Sequence, residues 1–173
     1  MIELLRNRRS IRKFTDKKVE PDKVELLKEA ALRSPSSRNF DPWQFVFVDD
    51  PELITKLAES KTHGSNFMLH APFAVVVLAD TTKSDVWVED CSIASILIQL
   101  TAQSLGLGSC WVQIRNRKSP TGRTSDEYVR ELLNAPENTA VESVIAIGYP
   151  DEHREPKSKD ELDFSKIIKN RYA

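Results

Sequence analysis

Four of the seven residues in RRSIRKF, Arg8 to Phe14, are cationic, in a chain whose formal net charge is only -1. In an extended segment Arg8, Ser10 and Arg12 alternate and point to one side. Two guanidiniums and a hydroxyl so placed could flank one anion, while Phe14 anchors the segment in a core. Charge-assisted hydrogen bonds contribute about 1.5–3 kcal/mol each. Three or four would hold a phosphate shielded from water and salt. The same residues have plainer uses: cations near a helix end complement its dipole, and a basic arm can bind nucleic acid.

Three further stretches carry chemistry. SPSSRNFDPWQF, Ser34 to Phe45, supplies hydroxyls, an amide and free backbone N–H groups before an aromatic strand, which suits the edge of a heterocycle. Alone it reads equally as a turn whose Ser and Asn bond their own backbone. GLGSCW, Gly106 to Trp111, contains G-x-G, but a helix-like stretch precedes it and a strand-like one follows. That order is the reverse of a dinucleotide fingerprint. Alone it reads as a helix cap before a core strand. REPKSK, Arg154 to Lys159, groups three cations around a proline, which by itself is a solvated loop.

These residues need elements to position them. IELLRNR predicts a short helix, and PDKVELLKEAALRS a second, with Val24, Leu27, Ala30 and Ala31 on one stripe and Pro21 in its first turn. WQFVFVD reads as a strand and PELITKLAES as a helix. FAVVVLAD is a continuous apolar run, as in a strand covered on both faces. VWVEDCSIASILIQLTAQSLGLG is the longest helical candidate, with apolar residues around most of its circumference. Such a helix is buried, in the core or against another subunit, and a glycine, Gly106 or Gly108, ends it. SCWVQI predicts a strand, SDEYVRELLN a helix and AVESVIAIGYP a strand. Strands and helices do not alternate regularly, so the expected class is α+β.

The length, 173 residues, suggests one domain spanning 1–173. Near-neutral charge argues against a chain devoted to nucleic acid. Cys91 and Cys110 lie in apolar surroundings and read as buried thiols of a reducing compartment. His63, His70 and His153 are scattered and no CxxC occurs, so no metal site is expected. No apolar run approaches a membrane span of about 20 residues, and the first residues lack the apolar stretch of a signal peptide. The expectation is a cytoplasmic protein that meets neither membrane nor nucleic acid.

Taken in order, RRSIRKF, SPSSRNFDPWQF, LGLGSCW and GYPDEHREPKSK resemble the FMN-dependent nitroreductase family over nearly the whole chain. The resemblance implies a mixed, mainly antiparallel sheet flanked by helices, in an intertwined homodimer with FMN at the subunit interface. It implies that Arg8 and Ser10 hold the phosphate and ribityl side, with Arg9 beside them, and that Arg12 lies near the flavin N1/O2 edge. Lys157 and Lys159 would close on the phosphate. Pro35, Ser36, Ser37 and Asn39 would form the loop lent by the partner subunit. Asn66 would face the pyrimidine side, and Gly108 and Ser109 would offer backbone contacts near the ring. One departure is visible: many relatives carry Gln where this chain has Asp41.

The activity implied is ping-pong hydride transfer, from NADH or NADPH through flavin N5 to a nitroaromatic, quinone or similar electron-poor acceptor. No catalytic side chain is named. A fixed cation at Arg12 would favour the reduced flavin. The short chain leaves little room for a lid that narrows specificity. The alternatives within the same resemblance are an FMN carrier or sensor, and a specialised dehalogenating or flavin-destroying member.

Overall fold

The computed structural model describes residues 1–172. Its helices are α1 (Ile2–Asn7), α2 (Pro21–Leu32), α3 (Pro51–Ala58), α4 (Trp87–Ser104) and α5 (Ser125–Leu132), and its strands are β1 (Trp43–Val48), β2 (Phe73–Asp80), β3 (Gly108–Gln113) and β4 (Thr139–Gly148). The strands form one sheet in the order β1-β2-β4-β3, and each pairing is antiparallel. The class is α+β, with β2 and β4 central. Alternation along β2 explains its unbroken apolar run. Phe73, Val75, Val77 and Ala79 meet Leu27 and Ala31 of α2 and Cys91, Ile98 and Ala102 of α4. Ala74, Val76 and Leu78 face the opposite layer, with Ile54 and Leu57 of α3, Val129 of α5, and Ile11 and Phe14. A strand so placed needs apolar side chains on both faces.

In β4, Val77 of β2 pairs with Ser143 and Leu78 with Val141, so Glu142 is the extra residue of a bulge. The bulge transfers Val141 to the α3/α5 side, whereas Ile145 and Ile147 face α4. Gly106 ends α4 at φ +76. Its N–H donates to Gln103 O at 3.2 Å, and that of Leu107 to Ala102 O at 2.9 Å, the Schellman closure that glycine permits. The apolar circumference of α4 is not all covered by this chain. Cys91, Ala94, Ser95 and Ile98 are buried, whereas Ile93 and Ile96 stay 40% and 37% exposed.

Candidate functional site

The run Arg8–Phe14 leaves α1 in an extended conformation, Arg8 having φ -67 and ψ 126, and crosses the start of β3. Ser10 bridges Ser109 in parallel, and the Ile11 N–H donates to Ser109 O at 3.0 Å. Close approach requires glycine at 108, because a Cβ there would lie 2.8 Å from Ile11 Cβ. Gly148, paired with Gly108 across the strands, admits Pro72 and Phe14 in the same way. Phe14 then pairs with Pro150 and is buried.

Arg8, Ser10 and Arg12 all act on the buried thiol of Cys110, the residue after Ser109. Burial pushes that thiol up, while Arg12, the Ser10 hydroxyl and Arg8 pull it back. The Arg12 guanidinium lies 5.9 Å from the centre of the Phe67 ring; Asn66, the residue before Phe67, is exposed in a 3-10 turn (Asn66–His70). The C-terminal segment closes over the run. Asp151 N–H donates to Lys13 O and Thr15 N–H to Tyr149 O, both at 2.9 Å. The Arg9 guanidinium donates to Glu155 O. Arg9 and Lys157 both help to hold the Glu161 carboxyl low, after the larger effects of the Ser158 N–H and hydroxyl. The C-terminal segment that leads to Lys157 thus crosses the cationic run beside the start of β3. Lys159 is exposed in a 3-10 turn (Lys159–Glu161) two residues further on.

The donor set suits an anion. Among the described residues, none of Arg8, Arg9, Arg12, Lys157 or Lys159 has a carboxylate within 4.0 Å. A cavity of about 560 Å³ on the other side of Phe14, lined by Val19, Val24, Ile54 and Phe73, does not suit one. Its rim carries both signs, Asp16, Glu25 and Asp49 with Lys18 and Lys28.

The serine loop lies elsewhere. Trp43, which follows it, pairs with Ala79 at the end of β2, and Ala79 with Ala140 near the start of β4. Gly108 pairs with Gly148 at the other end of β4. β1 and β3 are the two edges, and ten residues of β4 span about 30 Å. The loop and the cationic run therefore occupy diagonal corners of one sheet. Within the loop, Arg38, Asn39 and Asp41 have φ of 51, 59 and 46. Asp90 holds it: buried in α4 at 2% exposure, its Oδ1 accepts the Ser37 N–H at 2.8 Å and its Oδ2 the Ser84 hydroxyl at 3.2 Å. Ser36 and Asp41 are spent on each other. The Ser36 hydroxyl donates to Asp41 Oδ1 at 2.6 Å and accepts the Asp41 N–H at 2.9 Å. Asp41 is thus a cap of the turn before Pro42. Pro35 and Asn39 are exposed.

Two carboxylates that organise these regions, Asp90 and Glu152, escape a reading of the sequence. Asp90 looks like an ordinary acid in a helix's first turn, and Glu152 like part of a solvated charge run. The second had one available signal: it sits inside GYPDEHREPKSK, between an apolar strand and the basic pair.

The nitroreductase family model matches residues 5–64 and 59–149. An FMN-dependent nitroreductase from Clostridium difficile R20291 has a structure that superposes with a TM-score of 0.97 at 44% identity, covering 99% of this chain and 100% of that one. A relative from Archaeoglobus fulgidus, provisionally named NADH dehydrogenase/NAD(P)H nitroreductase, is 38% identical over 167 residues, 94% of this chain and 88% of its own. The NADPH:FMN oxidoreductase of Vibrio harveyi, solved with NAD+, superposes at a TM-score of 0.82 with 26% identity, covering 99% and 77%. The chain belongs to the nitroreductase family. Among the described residues no helix is long and apolar enough to cross a membrane, and no group of three or more His, Cys, Asp or Glu is placed to hold a metal ion.

Proposed function

We propose that the chain is a single-domain, FMN-dependent NAD(P)H oxidoreductase of the cytoplasm. The observation that carries this reading is the meeting of Arg8, Ser10 and Arg12 with the segment leading to Lys157, beside Gly108 and Ser109, with none of these cations in a salt bridge among the described residues. FMN, when bound, supplies the hydride and electron exchange, as flavin cofactors do. The protein's own residues bind and tune. Arg8, Ser10, Lys157 and Lys159 hold the phosphate end, with Arg9 tying the tail across it. Arg12 and Asn66 face the pyrimidine edge, where a fixed cation favours the electron-rich state.

Pro35, Ser37 and Asn39, with Ser36 bracing the turn, serve the same cofactor from a second copy of the chain, because their own copy holds them at the opposite corner. The open apolar side chains Phe40, Ile93, Ile96, Phe164 and Ile167 support a homodimer that covers them. NADH or NADPH and an electron-poor acceptor, such as a nitroaromatic or quinone, use the opening in turn, which is ping-pong exchange. The test is reconstitution. Added FMN should raise the unfolding midpoint and give a yellow dimer whose visible band bleaches under anaerobic NADH or NADPH and returns with acceptor. A monomer that stays colourless in excess FMN would overturn the reading.

A further inference from the structure

The cationic run is held by more than its own buried side chains, Ile11 and Phe14. Glu152, two residues beyond Pro150, sends a carboxylate back beneath it. Its Oε1 accepts the Arg12 N–H at 2.6 Å and the Lys13 N–H at 3.2 Å. Its Oε2 accepts from Arg154 Nε at 2.9 Å. The side chain is only 11% exposed, in a segment otherwise open to solvent. The Arg12 amide first, and Arg154 after it, hold this carboxyl below the usual carboxylate range. Accepting the Arg12 and Lys13 N–H groups sets its charge directly against the cationic run.

We propose that Glu152 is a positioning residue for the cofactor site. It fixes the main chain of Arg12, and so the place where the guanidinium meets the cofactor, while its charge offsets part of the cation cluster. This rests on the FMN reading above. The two roles separate by chemistry. A glutamine in its place keeps an oxygen that can accept the two N–H groups but carries no charge. An alanine loses both acceptor and charge. A negative charge near the cofactor opposes its reduction, and a well-placed guanidinium favours it. Both substitutions remove the charge, and the alanine also frees the guanidinium, so the alanine variant must have a lower potential than the glutamine variant.

The experiment compares flavin-reconstituted wild type, Glu152→Gln and Glu152→Ala by FMN titration and by midpoint potential. Glu152→Gln should hold FMN within about threefold of wild type and shift the potential upward. Glu152→Ala should weaken FMN by about tenfold or more, the order of one lost charge-assisted contact, and have a potential below that of Glu152→Gln. Equal potentials in all three proteins, or a potential in Glu152→Ala at or above that of Glu152→Gln, would overturn the proposal and leave Glu152 a fold contact only. Hydrogen exchange of the flavin-free chains gives an independent reading. Glu152→Ala should deprotect the Arg12 and Lys13 amides while Glu152→Gln keeps them protected; unchanged protection in the alanine variant would overturn the positioning role. A wild type that takes up no FMN would defeat the proposed function instead, and the exchange result would still decide whether Glu152 holds the segment.

Discussion

The cationic run Arg8–Phe14 and the serine loop Ser34–Asp41 are each held by one carboxylate accepting main-chain N–H groups, yet the two carboxylates face different tasks. Glu152 secures a segment with no positive φ, extended along the edge of the sheet and already bonded to Ser109 and Tyr149. Asp90 secures a loop in which Arg38, Asn39 and Asp41 all occupy the left-handed region, where residues other than glycine are disfavoured by roughly 1–2 kcal/mol each. Glu152 works near the surface and steers a charge. Asp90 works from inside a helix and resists strain. Strain of this kind persists only where its surroundings enforce it, so loss of Asp90 should disturb the fold more, and loss of Glu152 the site more.

The largest expected effect tests that division. Asp90→Ala removes a buried acceptor and leaves the Ser37 N–H and the Ser84 hydroxyl without it. Chemical denaturation should report a loss of about 3 kcal/mol, with Asp90→Asn losing less because an amide oxygen remains. Glu152→Ala should cost clearly less in the same measurement. If the two alanine variants lose equal stability, the contrast between a strained and an unstrained anchor fails.

The paired glycines divide the regions differently. A Cβ at Gly148 would lie 2.6 Å from Cδ of Pro72, a rigid ring, and one at Gly108 would lie 2.8 Å from Ile11. Overpacking of this kind costs about 1–3 kcal/mol. Gly148→Ala should fall in the upper part of that range by thermal unfolding. Gly108→Ala should cost less, because Ile11 belongs to the segment that can shift. That shift displaces Ser10 and Arg12, so FMN affinity should drop more in Gly108→Ala than in Gly148→Ala.

Legibility in the sequence follows the same boundary. The nine main elements were readable because each rests on local pattern. FAVVVLAD reads as a central strand from its length and β-branched residues, and Pro21 and Gly106 mark ends where backbone chemistry demands them. The alternation of Arg8, Ser10 and Arg12 was readable for the same reason. The anchors were not. Glu152 finds its amide 140 positions away and Asp90 finds Ser37 53 positions away, and nothing local distinguishes either from a solvated acid. Arg38 and Asp41 give no sign of positive φ, since only glycine advertises it. The burial of α4 was half readable. Periodicity marks Ile93 and Ile96 as apolar like their neighbours, yet they remain 40% and 37% exposed in this chain.

A third carboxylate, Glu142, sharpens the comparison because it is buried without anchoring a main-chain N–H group. It is the unpaired bulge residue of β4, 4% exposed, and its Oε2 lacks a partner. Burial raises its carboxyl above the ordinary 4.5, with Arg115 and Gln113 acting in the other direction and Glu89 adding to the rise. The folded chain then binds its proton more tightly than the unfolded chain, so this group's contribution to stability falls as pH rises above 4.5. Glutamine has no such loss. Glu142→Gln should therefore be the more stable protein at pH 7, by about 1 kcal/mol, and the gap should close as denaturation is repeated at pH values approaching and below 4.5. A gap that is independent of pH would mean that packing, not the proton, governs the site.

The smallest effect probes strain directly. Arg38 sits at φ 51, ψ 19, is exposed, and among the described residues its guanidinium meets only the ring of Phe40, at 5.9 Å. Glycine adopts that conformation without penalty but loses more freedom on folding, by about 0.5–1 kcal/mol. Set against the left-handed penalty, Arg38→Gly should gain about 0.5 kcal/mol, or ~1–2 °C in thermal unfolding for a chain of this length. An equivalent glycine at Lys13, in the extended run, has no strain to relieve and should lose stability by a similar amount. Opposite signs at the two positions would place the strain in the serine loop alone. A loss at both would mean that Asp90 holds a loop already at rest, and the difference between the two anchors would reduce to burial.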